Sequence, residues 1–431
     1  MGFRLSAVCI CASVSAIFVA GAQAQTVEET IKAALKHSPQ ITIGEADTDA
    51  AMADRFRALG QLLPSVSATI SASEENWRSD GLNRLRADDG VSYSFEFSQP
   101  LFQSGSALYG LKDADASVMA QRFLERENRQ IVAQAAANAH AALTLARDTV
   151  RHRTRSLSLL QQQVEFTDRR REAGAESLIA VSQARSRMEQ EKAELVRAQA
   201  RLAAAEAVYA RQTGQVASGV LIPDNRKIDE ELISLADAIH QAMKTNPRLR
   251  ASDALVNAAQ HGRRSARGEL GPSLSLDGQY NAYELEESAF AAGVSREPNE
   301  FQLVARLRIP LFQQGQNYSG VQSARARLNR ESAARVEARL ALEETVTTAW
   351  NALIGAAAAI EAAQAAVAAS EIVVEGQQAE YQAGSTSIQD VLDGQRDLVL
   401  ARISLSQAEF DYRSARYELL ALIDKLVLSA N

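Results

Sequence analysis

Cysteine is almost missing from this chain. Of 431 residues only Cys9 and Cys11 are cysteine, which leaves no disulfide framework, thiol nucleophile or thiolate metal centre for the rest. Proline is scarce at 8 residues, so long stretches are free of the residue that breaks helices. Aromatics are only 5%. Basic residues are in deficit, 46 against 53 acids for a net charge of −7, which argues against nucleic acid as a partner. The five histidines, His37, His140, His152, His240 and His261, have no ligand spacing, and Asp47-Thr48-Asp49 lacks the rest of a calcium loop. No G-x-S-x-G motif or Walker loop occurs, so nothing points to an enzyme or a cofactor. After the first two dozen residues no apolar run approaches the ~20 residues of a transmembrane helix. If the chain crosses a bilayer, it does so with strands.

What is present begins with a leader. Met1-Gly2-Phe3-Arg4 is a basic start, Leu5 to Ala20 is apolar, and Ala22-Gln23-Ala24 is an A-x-A cleavage site, so residues 1–24 read as a secretory signal peptide. Both cysteines lie inside it, and neither has the Leu-small-small context of a lipidation site.

The remainder is a duplication. Ser38-Pro39 recurs as Asn246-Pro247, Pro64-Ser65-Val66-Ser67 as Pro272-Ser273-Leu274-Ser275, and Pro100-Leu101-Phe102-Gln103-Ser104-Gly105 as Pro310-Leu311-Phe312-Gln313-Gln314-Gly315. Arg171-Glu172-Ala173-Gly174 recurs as Tyr381-Gln382-Ala383-Gly384, an offset of about 210 residues throughout. The first repeat is assigned to 25–213 and the second to 234–431, joined by an aperiodic connector at 214–233.

Within each repeat two short helices precede segments of period two. Strands are expected at ~65–73 and ~91–100, and again at ~273–283 and ~300–310. Val91, Tyr93, Phe95 and Phe97 alternate with Ser92, Ser94, Glu96 and Ser98, while Phe301, Leu303, Ala305 and Leu307 alternate with Gln302, Val304, Arg306 and Arg308. Polar loops are expected from Glu74 to Gly90 and from Glu284 to Asn299. The length and two-faced pattern are those of outer-membrane barrel strands. Alone they also fit two hairpins packed on a soluble core; the leader and the flanking helices favour the membrane.

Long helices are expected at ~105–174 and ~177–213, and at ~315–384 and ~387–425. A helix of roughly 68 residues is a rod of ~100 Å, too long for a globular core of this chain to cover. Heptads explain its packing. Val391, Leu398, Leu405, Tyr412 and Leu419 recur every seventh residue with Gly394, Ala401, Ala408, Ala415 and Leu422 three places on; Val181, Met188, Leu195, Leu202 and Tyr209 do the same earlier. One large and one small residue per heptad builds close-packed, left-handed helical hairpins.

This arrangement resembles the outer-membrane efflux protein family, the TolC-like exit ducts, over essentially the whole chain after the leader. Ile309-Pro310-Leu311-Phe312-Gln313-Gln314-Gly315 looks like the family's strand-to-helix corner, and Tyr381 to Gly394 is similar to its turn Y-x-x-G-x-x-x-I-x-D-V-L-D-A. The resemblance implies a mainly α protein with membrane β: a homotrimer in which four strands per protomer make a twelve-stranded β-barrel in outer-membrane lipid. An α-helical coiled-coil tunnel continues it across the periplasm. It implies a periplasmic adaptor (membrane fusion) protein and an inner-membrane RND, MFS or ABC transporter as partners, with a lean toward type I secretion. Glu96, Asp277, Arg306 and Arg308 would then face the barrel lumen. Gly174 and Gly384 would mark adaptor-docking helix tips, and Asp390, Asp393 and Tyr381 the periplasmic aperture.

A ring of six carboxylates from Asp390 and Asp393 would favour cations and raise the pKa of its members. The plain alternative is helix N-terminal acids favoured by the macrodipole. The chain also departs from the family: Thr386 replaces an arginine, and Ile179 and Ala180 replace Thr-Asp. The polar ties that close the aperture are therefore expected to be mostly missing, with Tyr381 deprived of its carboxylate. The rival class is a periplasmic coiled-coil structural or adaptor protein without a channel.

Overall fold

The computed structural model describes residues 25–78, 85–217, 219–224, 234–285 and 299–427, so the signal peptide and both cysteines lie outside the described residues. Each half opens with a helix pair. Thr26 and Glu29 form a capping box that starts α1 (Val27–His37), and Pro39 then sits at the first position of α2 (Pro39–Gly60), where its missing N–H costs nothing. Ser234 caps α5 (Leu235–Thr245), and Asn246 both ends it and caps α6 (Pro247–Gly268).

Two antiparallel hairpins follow α2 and α6: β1 (Ser65–Arg78) with β2 (Leu85–Phe102), and β3 (Ser273–Leu285) with β4 (Asn299–Arg308). They join as one sheet in the order β1-β2-β3-β4, so strands from both repeats share it and β1 and β4 are its edges. The first hairpin corrects the expected loop. Pairing continues from Glu74↔Asp89 to Arg78↔Leu85, well past the apolar alternation. Backbone hydrogen bonds need no apolar side chains, and the sequence Glu74-Glu75-Asn76-Trp77-Arg78 carries no period-two alternation to announce them. At the other end β4 stops at Arg308, short of Pro310, which has no N–H for the ladder.

A corner with two consecutive left-handed residues, Ser104-Gly105 or Gln314-Gly315, turns each second strand into a rod. These rods are α3 (Ser106–Glu172) and α7 (Gln316–Ala383), of 67 and 68 residues, each close to ~100 Å long. The return helices α4 (Leu178–Thr213) and α8 (Ile388–Leu422) are about half as long. Accordingly α2 and α6 line the sheet-proximal halves of the rods, and α4 and α8 line the distal halves.

The rods are joined through α6 and α8, each of which packs on both, and small residues let the helices approach. Ala133, Ala136 and Ala137 of α3 share one buried cluster with Val346 and Leu353 of α7, Ile31 and Ala34 of α1, and Leu419 and Leu420 of α8. One 18-residue window within α7 is apolar enough to cross a bilayer by length and composition, contrary to expectation. Its many alanines raise hydropathy without forming a run of large apolar residues; α7 as a whole packs along α6 and α8, while 17% of that window is buried.

The connector crosses the waist of the rods. Residues 220–222 pair with Gln25, Arg147 donates to the carbonyls of Gly219 and Ala217 at 2.6 and 2.8 Å, and Asp224 meets Arg416 at 2.6 Å. The last pair is buried, 6% and 4% exposed, so the strap ties α3 of one repeat to α8 of the other. Beside it the His140 Nε2–H donates to the Ile222 carbonyl (3.1 Å), and Nδ1 hydrogen-bonds the Thr30 hydroxyl (3.0 Å).

Candidate functional site

Two regions carry the functional reading: the sheet and the far tip of the helices. In the sheet, the register aligns apolar residues in rows. Val66, Phe97, Gly278 and Leu303 stand abreast, as do Ala68, Phe95, Tyr280 and Phe301. No helix covers this face: Val66 is 73% exposed, Phe301 71%, Leu303 57% and Phe95 50%. A bare apolar face across four strands is costly in water and natural in lipid.

The opposite face is polar. Asp277 accepts from Ser98 at 2.7 Å and from Ser275 at 3.0 Å, and Arg306 lies 3.5 Å from it. Glu96 is in the next row with Ser67 and Gln279, and Arg308 is beyond Arg306 opposite Ser273. The four charged residues singled out from the sequence therefore share one face, and Asp277 and Arg306 are brought together.

At the tip both rods end alike. The Ala175 N–H donates to Arg170 O and the Ser385 N–H to Glu380 O, closing a six-residue turn in each repeat. Gly174 and Gly384 hold φ of +77° and +79°, a left-handed geometry that a side chain would strain. Ser177 and Ser387 then cap α4 and α8. Between the two turns Leu160, Ala180, Ala184, Tyr381, Ile388, Val391 and Leu392 form an apolar knot that joins α3, α4, α7 and α8.

Tyr381 is buried within the protomer. It is 3% exposed inside this knot, edge-on to Phe166, with the Arg170 guanidinium 5.1 Å from its ring centre. Its hydroxyl donates to Glu176 Oε1 at 2.8 Å. The expectation that Tyr381 lacks a carboxylate is thus corrected. Glu176 stands in the turn, one helical turn before Ala180, where the family pattern would place the acid. Burial, then the hydrogen bond to Glu176, push the phenol above its ordinary pKa.

Asp390 and Asp393 have separate partners within the protomer. Asp390 closes a capping box: its Oδ2 accepts from the Ser387 N–H, the Ser387 hydroxyl at 2.6 Å and the Thr386 hydroxyl at 2.9 Å. Within the protomer those bonds, the Ser387 hydroxyl's first, hold its carboxyl below the usual range. Asp393 pairs with Arg187 of α4 at 2.5 Å and lies 3.7 Å from Arg396. The polar ties at the tip are therefore present, made by different residues. Glu176 and Arg187 escaped sequence reasoning because their partners lie 205 and 206 positions away.

The comparisons with known proteins fit this geometry. The family described as "Outer membrane efflux protein" matches residues 30–215 and 238–424, one match per repeat. The chain belongs to the outer membrane efflux protein family. It is an outer-membrane protein with a long periplasmic extension. Among curated relatives it is 26% identical to outer membrane protein TolC of Vibrio cholerae, over 90% of this chain and 88% of that protein. It is 26% identical to outer membrane efflux protein BepC of Brucella suis over 75% and 70% of the two chains. Its fold matches the CmeC outer membrane channel of Campylobacter jejuni with a TM-score of 0.82 at 15% identity, covering 93% and 85% of the chains. It matches VceC of Vibrio cholerae at 0.79 and 18%, covering 92% and 96%. The relatives are transport proteins of the outer membrane, and this chain shares their efflux-duct architecture.

Proposed function

We propose that three copies of this chain close a twelve-stranded barrel and form the exit duct of a tripartite efflux or type I secretion system. The observation that carries this reading is the open four-stranded sheet. Among the described residues β1 and β4 each keep an unpaired edge beside a bare apolar face. Lipid does not tolerate unpaired backbone groups, so copies of the same sheet must complete the ring. Glu96, Asp277, Arg306 and Arg308 then face a watery lumen. A periplasmic adaptor without a channel would have no use for such a sheet.

On this reading the tips around Gly174 and Gly384 receive the adaptor, and Asp390 and Asp393 lie at the aperture, with Tyr381 as an internal tie behind them. The duct conducts passively, and an inner-membrane RND, MFS or ABC transporter supplies the energy. Two experiments test this. Purified protein added to a planar bilayer should give discrete conductance steps; a protein that binds lipid without conducting would sink the duct. Photo-crosslinkers at Ala175 and Ser385 in cells should capture a periplasmic adaptor; capture only of copies of this chain would remove the tripartite assignment.

A further inference from the structure

The barrel end of the helices carries positive charge that no acid of the protomer takes up. Lys112 of α3 and Arg264 of α6 both lie over the ring of Tyr109, 5.4 and 5.5 Å from its centre. The ring is held in place. It stacks on His261 at 6.1 Å and 19°, and a Cβ at Gly105 would touch it at 3.4 Å. Two exposed cations thus converge on one aromatic plate. The acids on the same turns are held elsewhere: Asp115 by Arg55 (2.5 Å), Asp54 by Arg57 (2.5 Å) and Asp113 by Arg327 (3.8 Å). Among the described residues Lys112, Arg263, Arg264 and Arg267 enter no ion pair, against Glu269 as the one unpaired acid at this level. We infer that Lys112 and Arg264, on the Tyr109 plate, bind the phosphate of an anionic phospholipid in the periplasmic leaflet of the outer membrane. The inference rests on the duct reading, which sets the outward side of the wall.

Height and direction both put the cluster at the bilayer surface. Lys112 stands six residues after the start of α3 at Ser106, ~9 Å along the helix, and Arg264 four before the end of α6 at Gly268, ~6 Å. Headgroups extend about 5–8 Å beyond the hydrocarbon core on each side. A long basic side chain spans the difference by snorkelling. Between cluster and sheet, the corners Leu101-Phe102 and Leu311-Phe312 are exposed and apolar, so the bare lipid face of the strands runs on without a break to the cations. Lys112, Met119, Arg126, Ala133 and His140 recur every seven residues on one face of α3. On that face Ala133 is buried in a cluster with Ile31 and Ala34 of α1, and His140 bonds the connector strap. A strap inside the wall would obstruct a duct, so this face is the outer one.

The duplication argues against a purely structural role. At the equivalent places of the other repeat stand Ser319 for Tyr109, Gln322 for Lys112 and Phe56 for Arg264, at the offsets of 210 and 208 that relate Gly105 to Gly315 and Pro39 to Pro247. The corner nonetheless forms there with the same two left-handed residues. Each chain therefore has one such cluster, which the fold does not require. Guanidinium and ammonium groups are strong phosphate donors. Each cation at an anionic surface favours binding by about five-fold, so the two together give roughly twenty-five-fold over a zwitterionic lipid.

The test uses the full chain, delipidated in detergent, with native mass spectrometry as the readout and light scattering to check assembly. Phosphatidylglycerol should be retained about twenty-five-fold more strongly than phosphatidylcholine. Lys112→Gln with Arg264→Gln should erase that preference, and Lys112→Arg should keep it. Arg122→Gln with Arg325→Gln removes the same charge from exposed positions farther from the barrel and should leave the preference intact. If the double variant does not assemble, Lys112→Gln alone should weaken phosphatidylglycerol retention by about five-fold. Inorganic phosphate should not displace the lipid at equal concentration; if it does, the site serves a free anion and the lipid assignment falls. Equal retention of the two lipids by wild type, or an undiminished preference in the double variant, would overturn the proposal. Planar-bilayer conductance is scored separately. Wild type that conducts without any lipid preference refutes the lipid site alone, whereas silent wild type would overturn the duct and the outward placement with it.

Discussion

Leu303 offers a sharp test of which face of the sheet meets lipid. It stands in the middle of β4, abreast of Gly278, Phe97 and Val66. Its Cδ1 would lie 3.4 Å from a Cβ at Gly278, so it also covers the one position in that row with no side chain. Leu303→Arg places a guanidinium on the bare apolar face, at ~2–4 kcal/mol near the bilayer midplane. Three copies per barrel raise this to ~6–12 kcal/mol, comparable to the whole ~5–15 kcal/mol that holds a typical protein together. The assembled form should vanish. Gln302→Arg is one residue away and points to the polar face, in the row of Gln279, Glu96 and Ser67. It should assemble. The assay is the amount of heat-modifiable oligomer in outer-membrane fractions. If both variants assemble equally, or if Gln302→Arg is the one that fails, the assignment of lipid and lumen faces is wrong.

Other parts of the molecule make separate predictions. Tyr381→Phe keeps the ring in the knot but leaves Glu176 without its donor, so tip stability should fall by ~1–3 kcal/mol, visible as faster proteolysis of the turns. Burial depresses the pKa of His140, so the unfolded chain binds its proton first. Its stabilising neutral form should be fully favoured above about pH 6.5 and lose ground as pH falls toward the lower folded value, and melting between pH 7.5 and 5 should drop less in His140→Gln. Asp224→Ala strands Arg416 in a buried site and should cost ~3–5 kcal/mol, releasing the connector to protease while the rods stay helical by circular dichroism.

Much of this architecture was legible because period reports burial. Val391, Leu398 and Leu405 at sevenths, and Phe95 and Phe97 at alternate places, mark faces whatever the distant partner is. The limits are equally physical. From Glu74 to Arg78 the strand continues, but the sequence there has no apolar-polar alternation, so the pattern no longer marks it. The ties at the tip were not legible at all. Position-by-position transfer looked for an acid at Ala180, whereas Glu176 reaches Tyr381 from the preceding turn. Arg187 lies off the heptad core positions, so its partnership with Asp393 appears only once two helices from different repeats are set side by side. The same holds for Asp390: its spacing from Asp393 suggested a pair, and its local hydrogen bonds show a capping residue.

The central claim is that this sheet is one third of a closed barrel. The number of copies in the detergent-solubilised particle, measured by light scattering on protein extracted from outer membranes, tests it most directly. Three copies, with the oligomer lost in Leu303→Arg and kept in Gln302→Arg, is the expected result. A folded single chain, stable in lipid with β1 and β4 unpaired, would contradict it.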